Sequence, residues 1–283
     1  MEIKFEHVDF SYQKVNCVPK EIFHDLNISI SSGKIHGIVG AIGSGKTTFL
    51  ELIDTLLLPN CGKICVGDFV IDSSTRGENL NNFRFQIGFV PQNFENQFFN
   101  ETVFDELAFN LRYYQYHLSD IKKRVSDSLR IVGLKDSYIN RELSYLSNGE
   151  KCKVAIASVL IYNPKILLLD EPTRGLDGRS KDDLIKLLRI LKNRYHKTIL
   201  IASHDTDFLH RIVDEIHVIY DKGIVLSGNK YEVFKNIKQL RQYGVKSPRI
   251  IEFSNRVLQK QKIKIGYRDE INDLIKDIYR YVK

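Results

Sequence analysis

The sequence predicts an α/β fold, interrupted by a helical block and followed by a small helical extension. Three stretches carry that prediction. The first is a short aliphatic strand, a glycine-rich turn and a helix-like segment in succession over residues 34–57. The second is "KILLLDEP" at 165–172, an aliphatic run that ends in two acids. The third is the alternation of strand and helix patterns that resumes there, after a span from 92 to 162 with helical periodicity alone. Strands separated by helices call for a mostly parallel sheet with helices packed on it.

Taken in order, "IKFEHVDFSY" (3–12) and "IFHDLNISI" (22–30) alternate apolar and polar residues, as half-buried strands do. Ser31-Ser32-Gly33 makes a turn into the strand "KIHGIVG", and the helix after the glycine turn is expected to run from Lys46 to Leu57, ahead of Pro59. "GKICVGDFVID" reads as two short strands about a Gly-Asp turn. "FRFQIGFVPQ" (83–92) reads as a strand that reaches Pro91-Gln92. In "SDIKKRVSDSLRIVGL", Ile121, Val125, Leu129 and Val132 share one helical face, with Ser119 as the expected N-cap. A helix near 180–193, the strand "KTILIASHD", another helix, and the strands "EIHVIY" and "KGIVLSG" follow. From about residue 232 the chain is basic and helical in character, with Pro248 and Gly266 inside it. The expected organisation is a core of 1–91 and 163–231, a helical subdomain of 92–162 and an extension of 232–283.

Composition narrows the class. Apolar residues make up 43% of the chain, enough for a sizeable core, and 27% charged residues argue against disorder. The formal net charge of +7 suits an anionic partner such as a nucleotide, a nucleic acid or a lipid headgroup. Cys17, Cys61, Cys65 and Cys152 are scattered, with no second pair or histidine cluster in the sequence beside Cys61 and Cys65, so free thiols in a reducing cytosol are expected. "MEIKFEHVDF" has no signal-peptide core, and no apolar run reaches the roughly 18 residues that span a bilayer. A cytoplasmic chain, peripheral to any membrane it serves, is expected.

Gly40-Ala41-Ile42-Gly43-Ser44-Gly45-Lys46-Thr47 fits the phosphate-loop pattern G-x-x-x-x-G-K-[ST], with Thr48 continuing the helix. Glycines let successive backbone N–H groups converge on phosphate oxygens, and the following helix turns its N-terminus to the same anion. Lys46 would reach the outer phosphates, and the Thr47 hydroxyl would ligate Mg²⁺. Such a loop needs a carboxylate for the metal. Asp170 supplies it at the end of a buried strand, and Glu171 follows in the place that polarises an attacking water. Ser147-x-x-Glu150 in "LSNGE" is a capping box that starts a helix and leaves its free N–H groups and the Ser147 hydroxyl facing outward.

These motifs in this order resemble ATP-binding cassette (ABC) ATPases, over roughly residues 1–231. "LSNGE" is similar to their LSGGQ signature, and the resemblance implies that Ser147 and Gly149 meet ATP held by a second cassette, two ATPs being sandwiched in a dimer. It also assigns Tyr12 to stacking on adenine, Gln92 to the Q-loop that senses the metal, Asp177 to the D-loop and His204 to the switch near the γ-phosphate. The implied fold is a RecA-like P-loop core with an inserted helical subdomain. "FVPQNFENQFFNETVFDELAF" further resembles energy-coupling factor (ECF) transporter ATPases through Gln92, Gln97, Phe99, Thr102, Val103, Glu106, Ala108 and Phe109. "DEPTRGLD" points to the second ATPase type of that group. The resemblance implies ATP and Mg²⁺, a second and related ATPase, an integral membrane scaffold and a membrane substrate-binding subunit. A conventional ABC transporter is the near rival. A soluble cassette acting on nucleic acid would carry two cassettes or long insertions, so no nucleic-acid partner is expected. Asn148 and Glu150 depart from the usual signature residues, which bears on the ATP site completed by this signature.

Overall fold

The computed structural model describes residues 1–13, 19–261, 268–269 and 271–281; Cys17 and Gly266 lie outside them. In chain order come β1 (Ile3–Tyr12), β2 (Lys20–Ile30), β3 (Ile35–Gly40), α1 (Lys46–Ile53), β4 (Cys61–Val66) and β5 (Phe69–Ile71). Next are α2 (Asn81–Arg84), β6 (Ile87–Val90), α3 (Val103–Tyr113), α4 (Leu118–Ile131) and α5 (Asn148–Leu160). Then follow β7 (Ile166–Asp170), α6 (Gly178–Asn193), β8 (Thr198–Ala202), α7 (Thr206–Ile212), β9 (Glu215–Tyr220) and β10 (Gly223–Asn229). The chain closes with α8 (Lys230–Phe234), α9 (Ile237–Gln242), α10 (Arg249–Gln261) and α11 (Ile271–Tyr281). Two compact units emerge: Met1 with 75–200, and 2–74 with 201–283, the boundary falling inside β8. Among the described residues no helix is long and apolar enough to cross a membrane.

In the unit built from 2–74 and 201–283, β2, β1, β4 and β5 form an antiparallel sheet. A second layer pairs β3 parallel to β9, and β9 antiparallel to β10. Aromatic packing locks α1 against the first sheet: Phe5 stacks on Phe49 with ring centroids 4.7 Å apart, and Phe23 meets Phe49 edge-on at 6.3 Å. Such pairs add to the burial of large side chains. β1 carries a bulge, and there Gly62 of β4 comes so close that a Cβ on it would lie 2.1 Å from the His7 carbonyl oxygen. Its φ of 77° is also left-handed. Gly62→Ala therefore combines strain with a backbone clash and is expected to cost about 2 kcal/mol or more. Urea unfolding checks this, and an unchanged midpoint would show that the bulge can open without loss.

In the unit built from 75–200, β6 and β7 run parallel, in register from Ile87↔Ile166 to Val90↔Leu169. All five residues of β7 are buried, which is why its first four read as an unbroken aliphatic run before Asp170. Helices α3, α4 and α5 bury Leu107, Leu111, Ile121, Val125, Leu129, Val154 and Ala155.

Three local expectations are corrected. Helix α1 ends at Ile53, because Thr55 turns left-handed (φ 62°) and the Leu56 amide bonds back to the Glu51 carbonyl. Phe83 and Arg84 close the short helix α2 instead of opening a strand, and the Gln86 amide bonds to the Phe83 carbonyl. The N-cap of α4 is His117, with Ser119 already inside the helix, although Ile121, Val125 and Leu129 do face inward.

Candidate functional site

Gly40 is the last residue of β3, and the glycine loop carries the chain straight into α1. Gly43 and Gly45 have φ of 78° and 105°, values that glycine adopts without penalty. The helix has Gly45 as N-cap, which supplies no side-chain cap bond, and no acid in its first turn. A helix start with no acid and no side-chain cap suits an anion. The Lys46 ammonium donates to the carbonyls of Gly40 and Ala41, both at 3.0 Å, and so lies folded over the loop. The Ser44 hydroxyl is buried with no partner among the described residues. A Cβ on Gly40 would sit 2.4 Å from that hydroxyl oxygen and 2.6 Å from the Ile219 carbonyl. Ile42, at the tip, is fully exposed. An unsatisfied buried donor, a helix N-terminus and a cation in one loop fit the oxygens of a polyphosphate.

The same unit places Tyr12 and His204. The Tyr12 ring packs edge-on against Phe10, and its hydroxyl lies 3.0 Å from the Thr48 hydroxyl and 3.3 Å from Glu51 Oε2. Burial, then the nearby Glu51 charge, raises the Tyr12 pKa in spite of the Thr48 contact. The Ser203 amide bonds to the Ile38 carbonyl at 3.1 Å, which puts His204 beside the end of β3 that leads into the loop. Asp205 caps the following helix by accepting from the Phe208 amide.

In the other unit, Asp170 closes β7 and Glu171 begins the next turn; both are buried. Glu171 has φ of 46°, a left-handed conformation uncommon in a non-glycine residue and found preferentially at functional positions. Gln92 is exposed just after β6, and its neighbour Asn93 accepts from Arg174 at 3.2 Å. Ser147 and Glu150 form the full capping box: the Ser147 hydroxyl accepts from the Glu150 amide, and Glu150 Oε2 accepts from the Ser147 amide at 2.8 Å. Burial alone would raise the Glu150 pKa, but hydrogen bonds from Tyr138 and Ser147 more than offset it and hold the carboxyl below its ordinary value.

The first turn of α5 lies close to α6. A Cβ on Gly149 would fall 2.4 Å from Ser180 Oγ. Asp177 caps α6 by accepting from the Ser180 amide at 2.7 Å, and that bond lowers its pKa. Ser147, Gly149 and Asp177 are thus drawn together within one unit. The tie missed from the sequence is Asn148: its side-chain amide donates to the Gly175 carbonyl at 3.4 Å, linking signature and D-loop positions. Its only sequence signal was its departure from glycine.

Residues 23–174 match the family described as ABC transporter. A protein of Oenococcus oeni named "Energy-coupling factor transporter ATP-binding protein EcfA3" is 38% identical over 267 residues, 94% of this chain and 91% of its own length. A Clostridium acetobutylicum protein named "Energy-coupling factor transporter ATP-binding protein EcfA2" is 33% identical over 280 residues, covering 99% and 94%. Among solved structures, cbiO1 from Clostridium perfringens, described as part of the ABC transporter complex cbiONQ, is similar with a TM-score of 0.76 at 30% identity. That likeness covers 89% of this chain and 98% of that one. An ATP-binding cassette solved as a dimer in a post-hydrolysis state with ADP and Pi is similar with a TM-score of 0.72 at 26% identity, covering 80% and 98%.

Proposed function

The chain belongs to the ABC transporter family, and on that premise we propose that it is the ATP-hydrolysing, energy-coupling subunit of a membrane importer of the ECF type. The observation that carries this reading is the extent of likeness to proteins named as ECF transporter ATP-binding proteins, 94% and 99% of this chain. The buried Ser44 hydroxyl, unpartnered among the described residues, and the acid-free helix start behind the loop support phosphate binding there.

In this reading the backbone of 40–47 and the Lys46 ammonium receive the ATP phosphates, with Thr48 behind them and Tyr12 against the adenine. The Thr47 hydroxyl, the Asp170 carboxylate and the Gln92 amide are the oxygen donors for Mg²⁺, a set that suits this hard cation. When bound, the ion neutralises charge on the phosphates. Glu171 orients and polarises the water that attacks the γ-phosphate, and His204 stands by that phosphate. Ser147, Gly149 and Asp177 address the nucleotide of a second cassette, a related but non-identical chain. The helical block 92–162 passes closure of the core, 1–91 and 163–231, to an integral scaffold subunit. A separate membrane subunit selects the vitamin, micronutrient or metal that is carried. The extension 232–283 adds contacts between cassettes, and the chain works at the cytoplasmic face of the membrane as a peripheral subunit.

A detergent pull-down of the tagged chain from its native membranes, with partners identified by mass spectrometry, tests this. A second, different cassette with two kinds of integral membrane protein is the expected result. Recovery of this chain alone with one kind of membrane protein would replace the ECF reading with a conventional transporter. Ribosomes or nucleic acid without membrane protein would overturn transport altogether.

A further inference from the structure

Far from the glycine loop along β3, two buried histidines and a glutamate meet. His36 of β3 pairs in register with Glu215 of β9, and Ile38 with His217. Alternation along a strand puts Glu215 and His217 on one face. His36 Nδ1 lies 3.1 Å from His217 Nε2 and 3.5 Å from Glu215 Oε2. Ligand atoms about 2.0–2.1 Å from a tetrahedral zinc ion are about 3.3 Å from one another, so this spacing is that of a coordination edge. Both rings are anchored from outside. His36 Nε2 is 2.8 Å from the Ser31 carbonyl, and His217 Nδ1 is 2.8 Å from the Ser227 hydroxyl. Such outer hydrogen bonds orient metal-bound imidazoles.

The protonation states fit as well. A carbonyl can only accept, so His36 carries its proton on Nε2 and turns the Nδ1 lone pair inward. That lone pair accepts the His217 Nε2–H at 3.1 Å and lies 3.5 Å from a Glu215 carboxylate oxygen, so it faces the space between the three side chains. Burial holds both imidazoles neutral, as ligation requires, with the His36 pKa lowered and that of His217 pushed down to about 3. Burial works against the Glu215 charge, while the hydrogen bond and positive charge of Lys34 favour it, and the carboxyl pKa lies below its ordinary value.

We propose that His36 Nδ1, His217 Nε2 and the Glu215 carboxylate bind a divalent transition-metal ion of the zinc class, which pins β3 to β9. On binding, His217 moves its proton from Nε2 to Nδ1, where the Ser227 oxygen accepts it, so neither ring has to lose a proton to solvent. Glu215 keeps its second oxygen for Lys34 and is the partly exposed member, leaving a fourth position for water on its side. The site does not depend on nucleotide or on the proposed transport role.

The test uses the tag-free full chain, stripped with chelator and dialysed against zinc without nucleotide or magnesium. Metal content is read by plasma mass spectrometry and affinity by calorimetry. One zinc per chain is expected. Ser227→Ala, which removes only an outer hydrogen bond, is expected to weaken it by about 10- to 100-fold. Glu215→Gln is expected to weaken it at least as much, and both variants should keep the native circular dichroism spectrum. Cobalt in place of zinc should show tetrahedral d–d absorption in the native chain and lose it in Glu215→Gln. A chain that retains no zinc overturns the proposal. So does zinc held equally well by both variants, or zinc lost in Cys61→Ser/Cys65→Ser, which would move the metal to the thiols.

Discussion

Glu171→Gln is expected to leave ATP binding intact and to slow hydrolysis by about 10²- to 10⁴-fold, the usual range for a positioned general base. The substitution keeps the size and shape of the side chain and removes only its ability to draw a proton from water. Glu171 sits buried just past the end of a fully buried strand, held at a φ of 46°. Glutamine tolerates that backbone as well as glutamate does, so the fold should be unchanged. ATPase turnover of the assembled transporter, set beside equilibrium nucleotide binding, separates the two effects. Retained turnover would remove Glu171 from the role of water-polarising group. Loss of nucleotide binding with loss of turnover would mean that the carboxylate serves the loop and not the water.

Lys46→Ala is expected to lower ATP affinity by about 10²-fold or more. A hydrogen bond to a charged group contributes about 1.5–3 kcal/mol, and one ammonium reaches more than one phosphate oxygen. Without nucleotide the ammonium is occupied by the carbonyls of Gly40 and Ala41, so binding exchanges those neutral acceptors for anionic ones. These contacts are local to the loop, and the melting temperature of the nucleotide-free chain should stay near the native value. Fluorescence titration with a nucleotide analogue and a thermal melt give both readings. Native affinity in the variant would show that the backbone amides alone carry phosphate binding.

Much of the candidate site was legible because its chemistry is written in neighbouring residues. The glycines of 40–45, the acids after Leu169 and the Ser147–Glu150 capping box each need only a few consecutive side chains to declare themselves. Strand β7 was equally plain, because a strand buried on both faces draws an aliphatic run, here Ile166–Leu169 ahead of Asp170. The misread elements lie where local pattern is ambiguous. "FRFQI" alternates like a strand, yet Phe83 is buried from a helical turn, and period alone cannot distinguish the two over so short a span. Ser119 is a good cap by residue type, but the helix begins at Leu118, with its first bond from the Ile121 amide to the His117 carbonyl.

What the sequence by itself determined is the α/β class, the glycine loop between a strand and a helix, the strand that ends in Asp170, and the family to which these motifs point. Each depends on side chains that are adjacent along the chain, where spacing alone carries the chemistry. Only the tertiary structure decided the left-handed backbone of Glu171, the bond from Asn148 to Gly175, the orphaned Ser44 hydroxyl, and the meeting of His36 with His217 across 181 residues. These are properties of surroundings supplied by distant segments. A buried donor lacks a partner, and two rings share a coordination edge, only after packing has brought separate strands and turns together.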